Sequence, residues 1–293
     1  MKSLLLRIVM LIFLFPACTW AGGIVIPDEL QAKATIIRTD NDGLWEKSLV
    51  VQFPEKRRLL STKEGFVDAL AAVNHAADPR LWARVSETMQ TKGGQGYETK
   101  TEERLKGLLQ LRRGDLTLMA TAADMDNLAV ATRTFAPFIV TVLATAGAET
   151  NALRAGVDEG THIESEPGTV NIMILTNARL TDGAMARAII TGTEAKTAAF
   201  EDLRVPSSYT KGVQATGTGT DSMMVVSGKR GPQVTYTGGH SRIGELIGKA
   251  VYAAVVEALG KQNGFVVGGK KDNPMGERPV IGGTGGQMTV LDR

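Results

Sequence analysis

The stretch 242–259 places apolar residues at Ile243, Leu246, Ile247, Ala250, Val251, Ala254, Val255 and Ala258, spaced by three and four. That spacing gathers them on one face of a helix, and such a face must be buried against another layer. Upstream, 169–176 is a run of β-branched and apolar residues that reads as a buried strand; 181–203 reads as a helix and 222–226 as a further strand. Thr181 stands where it can cap the helix, with Asp182 against the positive end of its dipole. Apolar strands alternating with one-sided helices define an α/β protein, here expected as a mixed sheet in a layered sandwich.

Earlier in the chain, short strands are expected at 34–38 and 48–53 around the turn residues Asn41, Asp42 and Gly43, then at 57–61, 115–120 and 138–144. The segments 66–73 and 80–89 read as helices, 91–97 with its three glycines as a flexible loop, and 146–160 as a polar loop. A chain of 293 residues can bury a proper core, as one large unit or two small ones. At 43% hydrophobic and 22% charged residues it has the composition of a globular protein, and 33 glycines point to a loop-rich site region. A net charge of +2 without a long basic run argues against nucleic acid, which wants clustered Lys and Arg.

The N-terminus reads as an export address. Lys2 and Arg7 supply positive charge, 8–15 is a short apolar run, Pro16 breaks it, and Ala21 offers a small residue for cleavage before Gly22. The expected organisation is a signal peptide over 1–21, a main domain over 22–260 and a Gly-rich tail over 261–293, in a periplasmic or otherwise exported protein without stable membrane insertion. Cys18 is the only cysteine. Cleavage after Ala21 removes it, and with it any disulfide, zinc-thiolate site or cysteine nucleophile.

Histidine is scarce: His75, His162 and His240 are far apart and lack the local ligand spacing of a zinc site. No Gly-x-Ser-x-Gly elbow is present. Hydroxyl-bearing loops are what remain. Thr216, Thr218 and Thr220 alternate with Gly217 and Gly219 before Asp221, so backbone can approach a partner closely between hydroxyls that donate or accept. Pro167, Gly168, Thr169, Val170 and Asn171 open a strand. A threonine there is either an ordinary β-former or a presented nucleophile, which needs an adjacent base. The helical segment 191–197 holds Thr191, Gly192, Thr193 and Thr197, locally poor helix formers, together with Glu194 and Lys196. Those two charges are two residues apart and do not share a helix face.

Taken in order, Leu60-Ser61-Thr62, Val73-Asn74-His75, the string Leu118-Met119-Ala120-Thr121-Ala122-Ala123-Asp124-Met125, Gly168-Thr169-Val170-Asn171-Ile172, the segment 190–199, the 215–221 loop and the string from Gly238 through His240 to Gly248 resemble the adenosylcobinamide amidohydrolase family. The resemblance runs from about Leu49 to Leu259. It implies hydrolysis of the amide that joins an aminopropanol arm to a corrin ring, giving a cobyric acid for cobamide salvage. The corrinoid is then substrate rather than cofactor, and neither a metal nor another cofactor is implied.

A second similarity, to ornithine acetyltransferases and related aminopeptidases, suggests an αββα sandwich and self-processing. On that pattern Thr169 is the nucleophile and Gly168 precedes the cut. The site then expected has Thr169, Asn171, Glu194, Lys196 and His240 as catalytic residues, with Asn171 stabilising an oxyanion and Glu194, Lys196 or His240 moving protons. Asn74, His75, Thr121, Asp124, Thr218 and Asp221 line the substrate pocket. A non-catalytic periplasmic corrinoid-binding protein is the alternative, and assembly into homo-oligomers is left open.

Overall fold

The structure is a computed structural model, which describes residues 19–20, 24–41, 43–81, 93–112, 114–159 and 168–270. The expected signal peptide (apart from Thr19 and Trp20), Asp42, His162, Pro167, most of the 80–89 segment and the tail beyond 270 lie outside them. The main strands are β1 (Thr19–Trp20), β2 (Lys33–Asn41), β3 (Leu44–Ser61), β4 (Gly65–Ala77), β5 (Leu116–Thr121), β6 (Ala129–Phe135) and β7 (Phe138–Gly147), then β8 (Ala152–Leu153), β9 (Thr169–Thr176) and β10 (Arg179–Leu180). They are followed by β11 (Gly217–Thr218), β12 (Ser222–Val226), β13 (Gln233–Val234), β14 (Phe265–Val266) and β15 (Gly269–Lys270). Among the described residues three long helices accompany them: α1 (Gly93–Leu109), α2 (Asp182–Asp202) and α3 (Arg242–Asn263).

Nine strands form one mixed sheet in the order β1-β2-β3-β12-β9-β7-β6, with β4 on the other flank of β3 and β5 parallel beyond it. The 18-residue β3 serves both halves: 44–52 pairs with β2 and 59–61 with β12, while β4 runs along its other side at 46–52 and 57–61. Between Gln52 and Arg57 its register against β4 shifts. Pro54 has no N–H to give the ladder, and such a residue belongs at a bulge or an edge. The sheet folds over on itself there.

Three apolar cores show the resulting layers. Val50, Ala71, Val73, Leu116 and Leu118 pack with Leu105 of α1. Leu49, Val51, Ala72 and Met119 meet Leu143, Met173, Leu175 and Met224 between the two halves of the sheet. Ile172, Ile174, Val140 and Val142 pack against Met185 and Ala188 of α2 and Ile247, Ala250, Val251 and Ala254 of α3. Alternation along β9 sends even-numbered residues to the helices and odd-numbered ones between the sheet halves. The order is helix, half-sheet, half-sheet, helix pair.

Both strongly periodic helices appear as expected. Thr181 accepts from Ala184 N at the start of α2, and Ser241 caps α3 in the same way through Gly244 N. Three expectations are corrected. The segment 66–73 is not a helix but part of β4, and 57–61 is not a separate strand but the far half of β3. Of the glycine-rich loop expected at 91–97, residues 93–97 open α1 instead. Among the described residues no helix is long and apolar enough to cross a membrane.

Candidate active site

Thr169 and Asn171, at the start of β9, project between the sheet halves, and both are buried. β12 runs parallel to β9 with Ser222 opposite Asn171, so the loop ahead of β12 must cross beside Thr169. Asp221 fixes that crossing. Its carboxylate accepts from Val170 N at 3.1 Å and from Thr218 N at 3.2 Å, and it also takes the Thr218 hydroxyl and the Lys196 ammonium. Gly217 makes room for the ion pair: a Cβ there would lie 2.3 Å from Lys196 Nζ and 2.4 Å from Asp221 Oδ2. The close approach expected of this loop is real, and an ion pair uses it.

The Thr169 hydroxyl faces two acceptors, Thr220 O at 2.7 Å and Asn171 Oδ1 at 3.2 Å. Asn171 spends both of its N–H donors elsewhere, on Asn74 Oδ1 at 2.8 Å and Ala120 O at 2.7 Å. This corrects the role expected for Asn171, since an amide with both donors committed has none for an oxyanion. Two other side chains aim donors at a carbonyl. Asn151 Nδ2 lies 2.6 Å and Thr220 Oγ1 2.7 Å from the oxygen of Gly168, the residue just before Thr169. Gly168 holds φ at +153°, and a Cβ on it would meet Asn151 Oδ1 at 2.2 Å. A hydroxyl thus stands next to an amide whose oxygen carries two hydrogen bonds, the parts that attack on an amide requires.

The structure therefore brings together Thr169, Asn171, Asn74, Lys196, Thr218 and Asp221, and adds Asn151 and Thr220. Asn151 lies in the polar loop after β7, and nothing in its sequence neighbourhood marks it. Lys196 is buried and held by Asp221. Glu194 is exposed on α2. His240 is exposed too, its ring 5.1 Å from that of Tyr236. Thr121 lies at the end of β5, where its hydroxyl accepts from Ala123 N at 3.0 Å; Asp124 caps a short 3-10 turn and binds Lys47 Nζ at 2.6 Å. Among the described residues, no group of three or more His, Cys, Asp or Glu side chains is arranged to hold a metal ion.

His75 departs furthest from the expected pocket. It follows Asn74 in β4, so it points to the other face, beneath α1. There its Nδ1 meets Ser48 Oγ at 2.8 Å and its Nε2 meets Tyr97 OH at 2.8 Å. Tyr97 donates to Glu46, which also pairs with Arg104 at 2.6 Å. Since Tyr97 gives its proton to Glu46, Nε2 carries the imidazole hydrogen and Nδ1 accepts from Ser48. Burial pushes His75 from 6.5 down to about 4, a shift that the Glu46 charge opposes and Arg104 reinforces. Burial alone would raise Glu46, but hydrogen bonds from Arg104 and Tyr97 outweigh it and hold the carboxyl below its ordinary value.

The site is a buried, threonine-centred polar cluster held between the halves of a layered mixed α/β sheet. Residues 29–266 match the adenosylcobinamide amidohydrolase (CbiZ) family, and the chain belongs to that family. It is 44% identical over 240 residues to an uncharacterised protein of Methanocaldococcus jannaschii, a match that covers 76% of this chain and 90% of that one. It is also 30% identical over 116 residues to an adenosylcobinamide amidohydrolase of Methanosarcina mazei, covering 36% of this chain and 54% of that protein's length. Among solved structures, a Pyrococcus horikoshii protein aligns over 83% of this chain and 82% of its own, at 12% identity and a TM-score of 0.38.

Proposed function

We propose that this chain hydrolyses the aminopropanol amide of cobinamide or its adenosyl form, with Thr169 as the attacking group. The observation that carries this reading is the pair of donors, Asn151 and Thr220, on the carbonyl beside the Thr169 hydroxyl. The family supplies the substrate class. The Thr169 hydroxyl is met by neutral acceptors only among the described residues, and a threonine needs a base to attack.

Breakage of the Gly168–Thr169 bond would create one. Thr169 Oγ adds to the Gly168 carbonyl carbon, and the amide nitrogen leaves as the Thr169 α-amine, taking the hydroxyl proton. Water then hydrolyses the ester to a Gly168 carboxylate and the free hydroxyl. The new amine, beside the hydroxyl, serves as the base for turnover. The same donors would receive the corrinoid's amide oxygen; aminopropanol leaves, and water releases the cobyric acid. Read as an export address, Lys2, Arg7 and Ala21 support placing this chemistry outside the inner membrane, on corrinoids before uptake.

The test is to incubate pure protein with cobinamide and with adenosylcobinamide and to follow free aminopropanol, while intact mass reads the chain. Release from either supports the reading. Tight corrinoid binding with no release from either overturns it in favour of a binding protein. A single unbroken chain that still turns over removes the self-processing step alone.

A further inference from the structure

The hydrogen bonds around Thr169 form a directed series. The single Thr169 hydroxyl proton lies between Thr220 O at 2.7 Å and Asn171 Oδ1 at 3.2 Å; beyond it, Asn171 gives to Asn74 Oδ1 at 2.8 Å, and Asn74 gives to Thr145 Oγ1 at 2.9 Å. The series crosses from one half of the sheet to the other. Thr145 lies opposite Asn171 across the β7–β9 ladder, whereas Asn74 comes from β4 in the facing half. Asn74, Thr145 and Asn171 are all at most 1% exposed, so water does not set their orientation.

An asparagine amide presents either two donors or two lone pairs to a neighbour, and only its surroundings decide which. For Asn171 the surroundings are two acceptors, Asn74 Oδ1 and Ala120 O, on the side away from Thr169. Turning the amide over would set its oxygen against both of them and leave two buried N–H groups without those partners. Ala120 O, which can only accept, fixes which end of Asn171 is the nitrogen; Asn74 then presents its Oδ1 to that nitrogen and its own Nδ2 to the Thr145 hydroxyl.

We propose that Asn74 is a positioning residue that acts through Asn171. Together with Ala120 O it holds Asn171 Oδ1 toward Thr169, which gives the hydroxyl proton a side-chain acceptor beside Thr220 O and leaves an oxygen lone pair for the reacting carbonyl. Asn74 touches neither Thr169 nor, on this assignment, the substrate. The inference rests on the reading of Thr169 as the attacking group.

The experiment is steady-state kinetics with cobinamide on wild type, Asn74→Leu, Asn74→Asp, Thr145→Val, Asn171→Leu and the double variant Asn74→Leu/Asn171→Leu, with the urea midpoint of each as a check of folding. Asn74→Leu is expected to lower kcat about tenfold or more with KM within about twofold, as for an interaction realised in the transition state. Asn74→Asp keeps an acceptor for Asn171 and recovers most of kcat. Thr145→Val, close to isosteric, lowers kcat less and gives the answer should Asn74→Leu not fold. In the double variant, Asn74→Leu adds nothing to Asn171→Leu, because the two act as one unit. Unchanged kcat in both Asn74→Leu and Thr145→Val, or fully additive losses in the double variant, would overturn the inference. Wild-type protein that releases no aminopropanol defeats the functional reading instead.

Discussion

The buried imidazole of His75 makes the stability of this protein depend on pH in a window that can be calculated. Its pKa is 6.5 when exposed and about 4 in the fold. The group is depressed on folding, so its contribution is complete above the unfolded value and is lost as pH falls toward the folded one. Between pH 7 and pH 5 the unfolded chain takes up about three-quarters of a proton at this site and the folded chain about a tenth of one. At about 1.4 kcal/mol per pH unit, the integrated loss is about 2 kcal/mol. Glu46 stays out of this range, because its pKa lies below 4.5 and its contribution fades only at lower pH. The assay is urea unfolding followed by intrinsic fluorescence at pH 7, 6 and 5, in wild type and in His75→Gln. Glutamine keeps a nitrogen to donate to Tyr97 but cannot titrate, so the variant loses a constant amount at every pH. Wild type should lose about 2 kcal/mol more than the variant on going from pH 7 to pH 5. Equal losses in the two proteins would refute the reasoning and place His75 in a wetter environment than beneath α1.

Two further predictions concern the site. Thr169→Ala should cut cobinamide turnover by at least about a hundredfold while corrinoid binding stays nearly intact, and Thr169→Ser should retain part of the rate; near-normal turnover in the alanine variant discards Thr169 as nucleophile. Gly168→Ala forces a Cβ to within 2.2 Å of Asn151 Oδ1 and strains a backbone at φ +153°. It should therefore lower chain breakage or turnover by about tenfold or more through the displaced Asn151 donor, read by intact mass and aminopropanol release.

How much of this was legible in the sequence depended on whether local pattern and tertiary demand agreed. They agreed in α2, α3 and β9, where periodicity and the Thr181 cap point to what is found. They disagreed in β4. Its run of Ala69, Ala71, Ala72, Ala76 and Ala77 has helical propensity, yet it lies between α1 and the facing half-sheet, where small side chains suit a strand buried on both sides. That misreading carried into the site. Once β4 is a strand, neighbours Asn74 and His75 cannot share a pocket, and His75 moves to the α1 side. The loop before β12 was recognisable by composition, but its tie to Lys196 spans 25 residues of chain and has no local signature. The Gly168 carbonyl is harder still: its partner Asn151 comes from a separate loop, so only the folded structure shows that two donors meet there.

The opposed polar faces of β4 also bear on how the chain finds one arrangement among many. Strands lined by alanine and valine on both sides are poorly keyed, since a shift by one residue exchanges one small apolar side chain for another. In β4 that shift would carry His75 between the half-sheets and Asn74 beneath Tyr97, stranding Ser48, Glu46 and Asn171 together. Each misaligned pairing would leave several polar groups without partners, at about 1–3 kcal/mol apiece. The two clusters, whatever else they do, act as a proofreading device for the alignment of β3 with β4, discriminating between states that the apolar residues alone would leave almost degenerate.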